Sequence, residues 1–292
     1  MNLINQIFYP LIILFILLSI LGYGFIFDTI FNSKVKTLNL RNIIFVKGLI
    51  FCGSICILIN ILSPLTNIIT IFLILLGIAI YFFYFLRAID KKKEYFFLIF
   101  VIITSFIYSF YAGVNDDFDY HIKIIDNFKN SNLFAITHES RISYNPHWLF
   151  LNSIFTLNYL SSSLFAISAI LYSILIYDFY KVFNETFKNK FAYTGIISFL
   201  TLVFFVTILN KYKEIGTDIP GVIISFYILI ILVINIFDKK QKLEQEDIFT
   251  IILFSSFIFI IKISNTLIIF YLIFTFFYIH FNKIKIKFFF AG

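Results

Sequence analysis

In the stretch Asn115-Asp116-Asp117-Phe118-Asp119-Tyr120-His121, three carboxylates and an imidazole fall within six residues. Adjacent carboxylates repel, which raises a pKa and suits one of them to general-base work, or the pair to a divalent cation. The plainer reading is helix capping, in which Asp116 or Asp117 accepts hydrogen bonds from the first free amides of a following helix. Capping accounts for one acid and leaves two. Further along come Arg141, Asn145 and His147, then Lys211 and Asp218 ahead of Pro220, then Lys262 near the end of an apolar run. Asp218 reads equally as a cap for a helix with Pro in its first turn and as a substrate contact. His147 with Trp148 reads equally as an anchor in a headgroup zone. No zinc spacing, Walker loop, Rossmann glycine pattern or Ser-His-Asp set is readable, and His138 and His280 carry no ligand spacing.

The segments that must position these residues are unusually apolar. Hydrophobic residues make up 61% of the 292-residue chain and charged ones 13%, about half the charged share of a soluble domain. Phe is abundant along with Ile, Asn and Lys, the mark of AT-rich coding, so aromatic stripes carry little functional weight. Nine apolar segments stand out: Ile7 to Phe27, Ile43 to Leu62, Ile68 to Leu86, Tyr95 to Gly113, Ser161 to Tyr180, Phe191 to Leu209, Pro220 to Phe237, Ile248 to Ile263 and Leu267 to Phe281. Most match the ~20 residues that cross hydrocarbon. A tenth, Trp148 to Leu157, is too short. With no period-two pattern, the expectation is an all-α, polytopic transmembrane bundle of about nine spans, the first retained rather than cleaved as a signal peptide. Cys52 and Cys56 lie four apart in one apolar run and read as small packing residues.

Orientation follows from the basic residues. Connectors after the odd-numbered segments hold 16 of the 23 Lys and Arg residues, which predicts an exterior N-terminus and an interior C-terminus. The net charge of +7 is thereby explained by topology and anionic membrane lipid, without a nucleic-acid partner. One exterior connector, residues 114–147, is far longer than the rest and carries five acidic residues. Within it Phe118, Ile122, Ile125 and Phe128 fall at helical spacing, with Asp119, Lys123, Asp126 and Asn127 turned away. This predicts a short amphipathic helix lying in the membrane interface.

The acidic stretch 116–121, the amphipathic helix and Tyr144-Asn145-Pro146-His147-Trp148, thirty residues from Asp116 to Pro146, together resemble the first exterior loop of the GT-C superfamily of polytopic glycosyltransferases. A nearer likeness is to bacterial membrane proteins related to that superfamily, through Asp116 with Tyr120-His121, Arg141 and Asn145, Thr217-Asp218-Ile219-Pro220 and Lys262-Ile263-Ser264. It covers roughly 95–266, which divides the chain into N-terminal helices (1–94) and a GT-C-like module (95–292). The resemblance implies a bacterial plasma membrane enzyme that moves a sugar from a polyprenyl-phosphate donor to a lipid or glycan acceptor. Asp116 and Asp117 would be its catalytic residues; His121, Arg141, Asn145, His147, Lys211, Asp218 and Lys262 would bind substrate. No resident metal site is implied, and a divalent cation at the acidic pair is the one cofactor considered. Asn145 stands where many relatives carry an acid or Lys, and the chain ends at Gly292 where relatives continue, which reads as a truncated frame. A polysaccharide polymerase or ligase, a transporter and a non-catalytic fragment stay open as rivals. A ligase would normally centre on exterior arginines, and a transporter on polar or broken spans.

Overall fold

The computed structural model describes residues 3–31, 41–86, 91–109, 121–136, 146–156, 166–189, 192–207, 218–239, 242–261 and 268–282. The described residues form eleven α-helices and no strand. They are α1 (Leu3–Phe31), α2 (Arg41–Leu62), α3 (Asn67–Leu86), α4 (Lys91–Ser109), α5 (Ile122–Asn130), α6 (Pro146–Phe155), α7 (Ala166–Asn189), α8 (Ala192–Thr207), α9 (Asp218–Val233), α10 (Gln245–Ile261) and α11 (Ile268–Asn282). A π-helical turn, Ile234–Asp238, continues α9, and a 3-10 turn, Leu133–Ile136, follows α5.

Five helices are long and apolar enough to cross a membrane: α1, α2, α3, α7, and α9 together with its π-helical turn. They coincide with the first, second, third, fifth and seventh apolar segments. The other four segments are α4, α8, α10 and α11, of 19, 16, 17 and 15 residues. Large apolar side chains lie exposed along α3, α4, α8 and α11, among them Phe72, Ile99, Phe199 and Phe276. A water-facing bundle would bury such rows; a lipid-facing one has no reason to.

Polar links show how the helices run. The Asp178 carboxylate midway along α7 accepts from the backbone N–H of Arg41 (3.1 Å) and Asn42 (2.9 Å), so it caps the start of α2 from another helix. Arg41 pairs with Glu94 at the start of α4, and the Tyr81 hydroxyl of α3 donates to the same carboxylate at 2.8 Å. Asp28 of α1 holds the Lys47 ammonium of α2 at 2.6 Å. Phe27 and Phe31 of α1 meet Phe249 at the start of α10. Asn235 links the end of α9 to Asp247 of α10, Asp238 caps Thr194 at the start of α8, and Tyr278 of α11 accepts from the Leu243 N–H. The ends of α1, α3, α7, α9 and α11 therefore share one end of the bundle with the starts of α2, α4, α8 and α10. Successive long helices run antiparallel. Arg41, Lys91, Lys92, Lys93, Lys181, Lys239 and Lys242 all belong to this basic end.

At the opposite end lie the turn between α2 and α3 and the two short helices α5 and α6. Closeness within the N-terminal trio comes from glycine. A Cβ at Gly22 would lie 2.0 Å from the Gly77 carbonyl oxygen of α3, and one at Gly48 would lie 2.0 Å from that of Ile20. Backbones can approach that closely where a glycine leaves the side-chain space empty.

α1 runs on through Asp28 to Phe31, and Asp28 pairs with Lys47 of α2 inside the bundle. One expectation needs correction. Trp148 is not an interfacial anchor. It is fully buried, and every described side chain of α6 is buried, because α2, α3, α5 and α10 surround that helix. A ten-residue apolar helix in such a position is core, consistent with its being too short to span.

Candidate functional site

The long connector contributes two helices to the loop end. α5 is strongly amphipathic, and its buried side chains are Ile124, Ile125, Phe128 and Lys129, with Ile122 half-buried and Lys123 and Asp126 exposed. The buried face is thus rotated from the expected Phe118, Ile122, Ile125 and Phe128 stripe. Protein covers it rather than a flat interface: Phe128 stacks on Phe150 of α6 with ring centroids 3.8 Å apart, and α5 sits against the α2–α3 turn.

That docking is made by directed bonds. The Asn60 amide near the end of α2 donates to the carbonyls of Phe128 (3.0 Å) and Ser131 (3.2 Å). The Leu65 N–H in the α2–α3 turn donates to the Phe128 carbonyl at 3.0 Å. The Lys129 ammonium donates to the carbonyl of Thr156, beyond the last turn of α6, and to Asn67 Oδ1 at 3.1 Å. A cation there meets the negative pole of α6. Burial holds the Lys129 ammonium down to about 8, with Asp126 pulling the other way.

His121 stands buried at the head of α5, where no side-chain cap is formed. His147 stands buried at the head of α6. Its ring meets Phe257 of α10 edge-on at 5.3 Å, and its Nε2 faces Gly53 of α2, where a Cβ would come within 2.4 Å. Among the described residues Nε2 has no hydrogen-bond partner. Burial pushes this imidazole down to about 4, so it is neutral at pH 7. His147 therefore points into the protein between α2, α6 and α10. The remaining polar groups of α6 answer to their own helix: Asn152 donates to Trp148, Ser153 to Phe150 and Thr156 to Asn152.

Asp218 is the first residue of α9, with Pro220 inside the first turn as the sequence predicts. Asp116, Asp117, Arg141, Asn145, Lys211 and Lys262 lie outside the described residues, as does the side chain of Asp218. The described elements that adjoin them share the loop end: the heads of α5, α6 and α9, and the last turn of α10 up to Ile261. Among the described residues no three His, Cys, Asp or Glu side chains converge on a metal-sized site. Cys52 and Cys56 are free and buried.

Sequence reasoning passed over Asn60, Asn67 and Lys129. A signal existed for Asn60, an amide inside an otherwise apolar segment, where an unpaired polar group is costly and so calls for a partner. Lys129 follows Phe128 on the buried side of α5, and a lysine in an amphipathic helix gives no signal in the sequence of its burial.

The chain belongs to the family described as a domain of unknown function (DUF8201), whose model matches residues 7–292. No curated protein and no solved structure matches it.

Proposed function

We propose that this member of the DUF8201 family is a multi-pass glycosyltransferase of the bacterial plasma membrane, moving a sugar from a polyprenyl-phosphate donor to a lipid or glycan acceptor at the exterior face. The nine helices α1–α4 and α7–α11 are its spans, with the basic end in the cytoplasm and the loop end outside. The reading rests on the GT-C resemblance. The observation that supports it best is that the helix ends adjoining every candidate residue share the loop end, which α5 and α6 cover.

In this chemistry Asp116 takes the proton of the acceptor hydroxyl as its oxygen attacks the anomeric carbon. The bond from that carbon to the donor's phosphate oxygen breaks with inversion, and the phosphate leaves on the lipid. Arg141, Lys211 or Lys262 neutralises it. Asp117 assists Asp116 or holds a divalent cation. A polyprenyl tail suits such a bundle, because it lies in the bilayer while its phosphate stays at the surface.

The test is Asp116→Asn, with complementation of a deletion strain and surface glycan profiles as the readout. Loss of a general base costs ~10²- to 10⁴-fold in rate, whereas loss of a helix cap costs only ~0.5–2 kcal/mol of stability. The expected protein is inserted, folded and inactive. Full activity in Asp116→Asn and in Asp117→Asn alike would leave a membrane scaffold as the better description. Labelling that finds Asn130 and Gln241 on the same side of the membrane would refute the nine-span topology.

A transporter is the second reading, favoured by the buried Asp28–Lys47 pair. Ionisable pairs inside a bundle often mark ion or proton paths. Uptake that survives in Asp116→Asn and fails in Asp28→Asn would favour it.

A further inference from the structure

We infer that Lys129 and Asn60 are positioning residues that fasten the two limbs of the exterior loop to the α2–α3 turn, and so fix where His121 and His147 stand relative to each other. The role in sugar transfer rests on the function proposed above; the fastening itself does not.

The loop has two described limbs. One runs from His121 through α5, and the other begins at Pro146 and runs through α6. The ring contact between them, Phe128 on Phe150, is apolar and can slide. Directed bonds cannot. Asn60 reaches from α2 to two carbonyls at the end of α5, and Leu65 supplies a third bond to the same place. Lys129 then crosses from α5 to the far end of α6, and its second bond, to Asn67, returns to the start of α3. Four elements are thus tied at one point: α2, α3, α5 and α6.

The choice of residues is hard to explain by stability alone. Lys129 is 4% exposed, and taking an ammonium out of water is costly even where partners answer its charge. A leucine or methionine at this position would pack beside Phe128 without that cost. What an apolar side chain cannot do is hold one chosen carbonyl, on one chosen helix, at one distance. Asn60 carries a similar cost, since its Oδ1 is buried with no partner among the described residues while its amide nitrogen is fully used. Both residues accept a penalty in return for a fixed register, as buried polar groups do when they specify one arrangement among several. The anchor they use belongs to the N-terminal helices. On this inference α2 and α3 serve the loop site directly rather than merely preceding it.

The chain carries its own reporter. Its single tryptophan is Trp148, buried in α6, and Asp126 is exposed on α5. A fluorophore on Asp126→Cys, in a Cys52→Ala, Cys56→Ala background of the full chain in lipid nanodiscs, accepts energy from Trp148 and reads the α5–α6 distance. The fastened loop gives one narrow distance distribution. Lys129→Met keeps the shape of the stem and removes the donor, and Asn60→Ala removes the other tie; each broadens the distribution. Lys129→Gln keeps an N–H donor and restores much of the narrow population, which a purely space-filling role would not require. Unchanged distributions in Lys129→Met and Asn60→Ala would overturn the inference.

The functional arm is the split of kcat and KM in sugar transfer. Misplacement by about 1 Å costs ~10²-fold in rate, so kcat falls steeply in Lys129→Met while KM stays within a few-fold. Normal turnover with a loosened loop would overturn the positioning role. Failure of the glycosyltransferase reading itself shows differently: the wild type transfers no sugar, and the energy-transfer distances still decide whether the limbs are fastened.

Discussion

Acid should loosen this protein through one imidazole. His147 is buried between Gly53 and Phe257, its Nε2 lacks a partner, and burial holds its pKa at about 4 against an ordinary 6.5. The folded state therefore refuses a proton that an opened state, with α6 withdrawn from α2, accepts. Between pH 6.5 and 4 the opened state binds more protons, so stability falls as pH falls through this window; above 6.5 the imidazole is neutral in both states and contributes no slope. At 1.36 kcal/mol per pH unit the full window amounts to about 3 kcal/mol, and pH 5 already takes about 2. Thermal unfolding can be followed in nanodiscs with a thiol-reactive dye, because Cys52 and Cys56 are free, fully buried and exposed only on opening. His147→Leu is the comparison: it fills similar volume, cannot titrate and removes the orphaned Nε2. At pH 7.5 the two proteins should agree within about 1.5 kcal/mol, the usual cost of a near-isosteric core change. On acidification the wild type should lose on the order of 5–10 °C of Tm more than the variant. Parallel Tm curves for the two proteins from pH 7.5 to 4.5 would refute the reasoning, since they would mean that the His147 imidazole is solvated or finds a partner when charged.

Two further pairs of substitutions test the packing. Gly22→Ala puts a methyl 2.0 Å from the backbone carbonyl of Gly77 and should cost ~1–3 kcal/mol or more by overpacking, whereas Gly195→Ala meets only the Thr186 methyl at 2.6 Å and should cost less; equal unfolding midpoints would contradict the tight α1–α3 approach. On α5, Ile125→Glu places a charge on a fully buried site and should undock the helix, while Asp126→Asn on the exposed side should stay within ~0.5 kcal/mol; protease protection of the loop reads the difference, and equal tolerance would mean an undocked helix.

What the sequence made legible was whatever depends on composition and period. Runs of apolar residues near twenty long announced α1, α2, α3, α7 and α9, and the short run after Pro146 was rightly seen as too short to cross. The alternation of basic connectors anticipated the antiparallel order, because lysines gather at one end for reasons of charge that do not depend on tertiary structure. The helical period of the loop located α5 but misjudged its buried face. Period reports which residues share a face, and only the neighbours decide how wide that face is. Once α6 and the α2–α3 turn flank the helix, Ile124 and Lys129 go under and Ile122 comes partly out.

Long-range polar pairing was the part that could not be read. Asp178 caps α2 across 136 residues of sequence, and nothing near Asp178 signals a helix start; it sits mid-run in α7 and looks like a flaw in an apolar segment. Asp238 does the same for α8. In each case a helix whose preceding connector supplies no described cap borrows one from a neighbour, and the carboxylate supplies the negative charge that the exposed amides and the helix dipole favour. Asp28 and Lys47 follow the same logic as partners 19 residues apart on different helices. A charge inside an apolar run is thus best treated as a search for its partner. The same rule applies at the loop end, where Asn60 and Lys129 interrupt apolar faces and turn out to hold α5 and α6 together. Polar residues that break a hydrophobic pattern are where this fold spends stability to fix geometry, at the basic end through Asp28, Asp178 and Asp238 and at the loop end through Asn60 and Lys129.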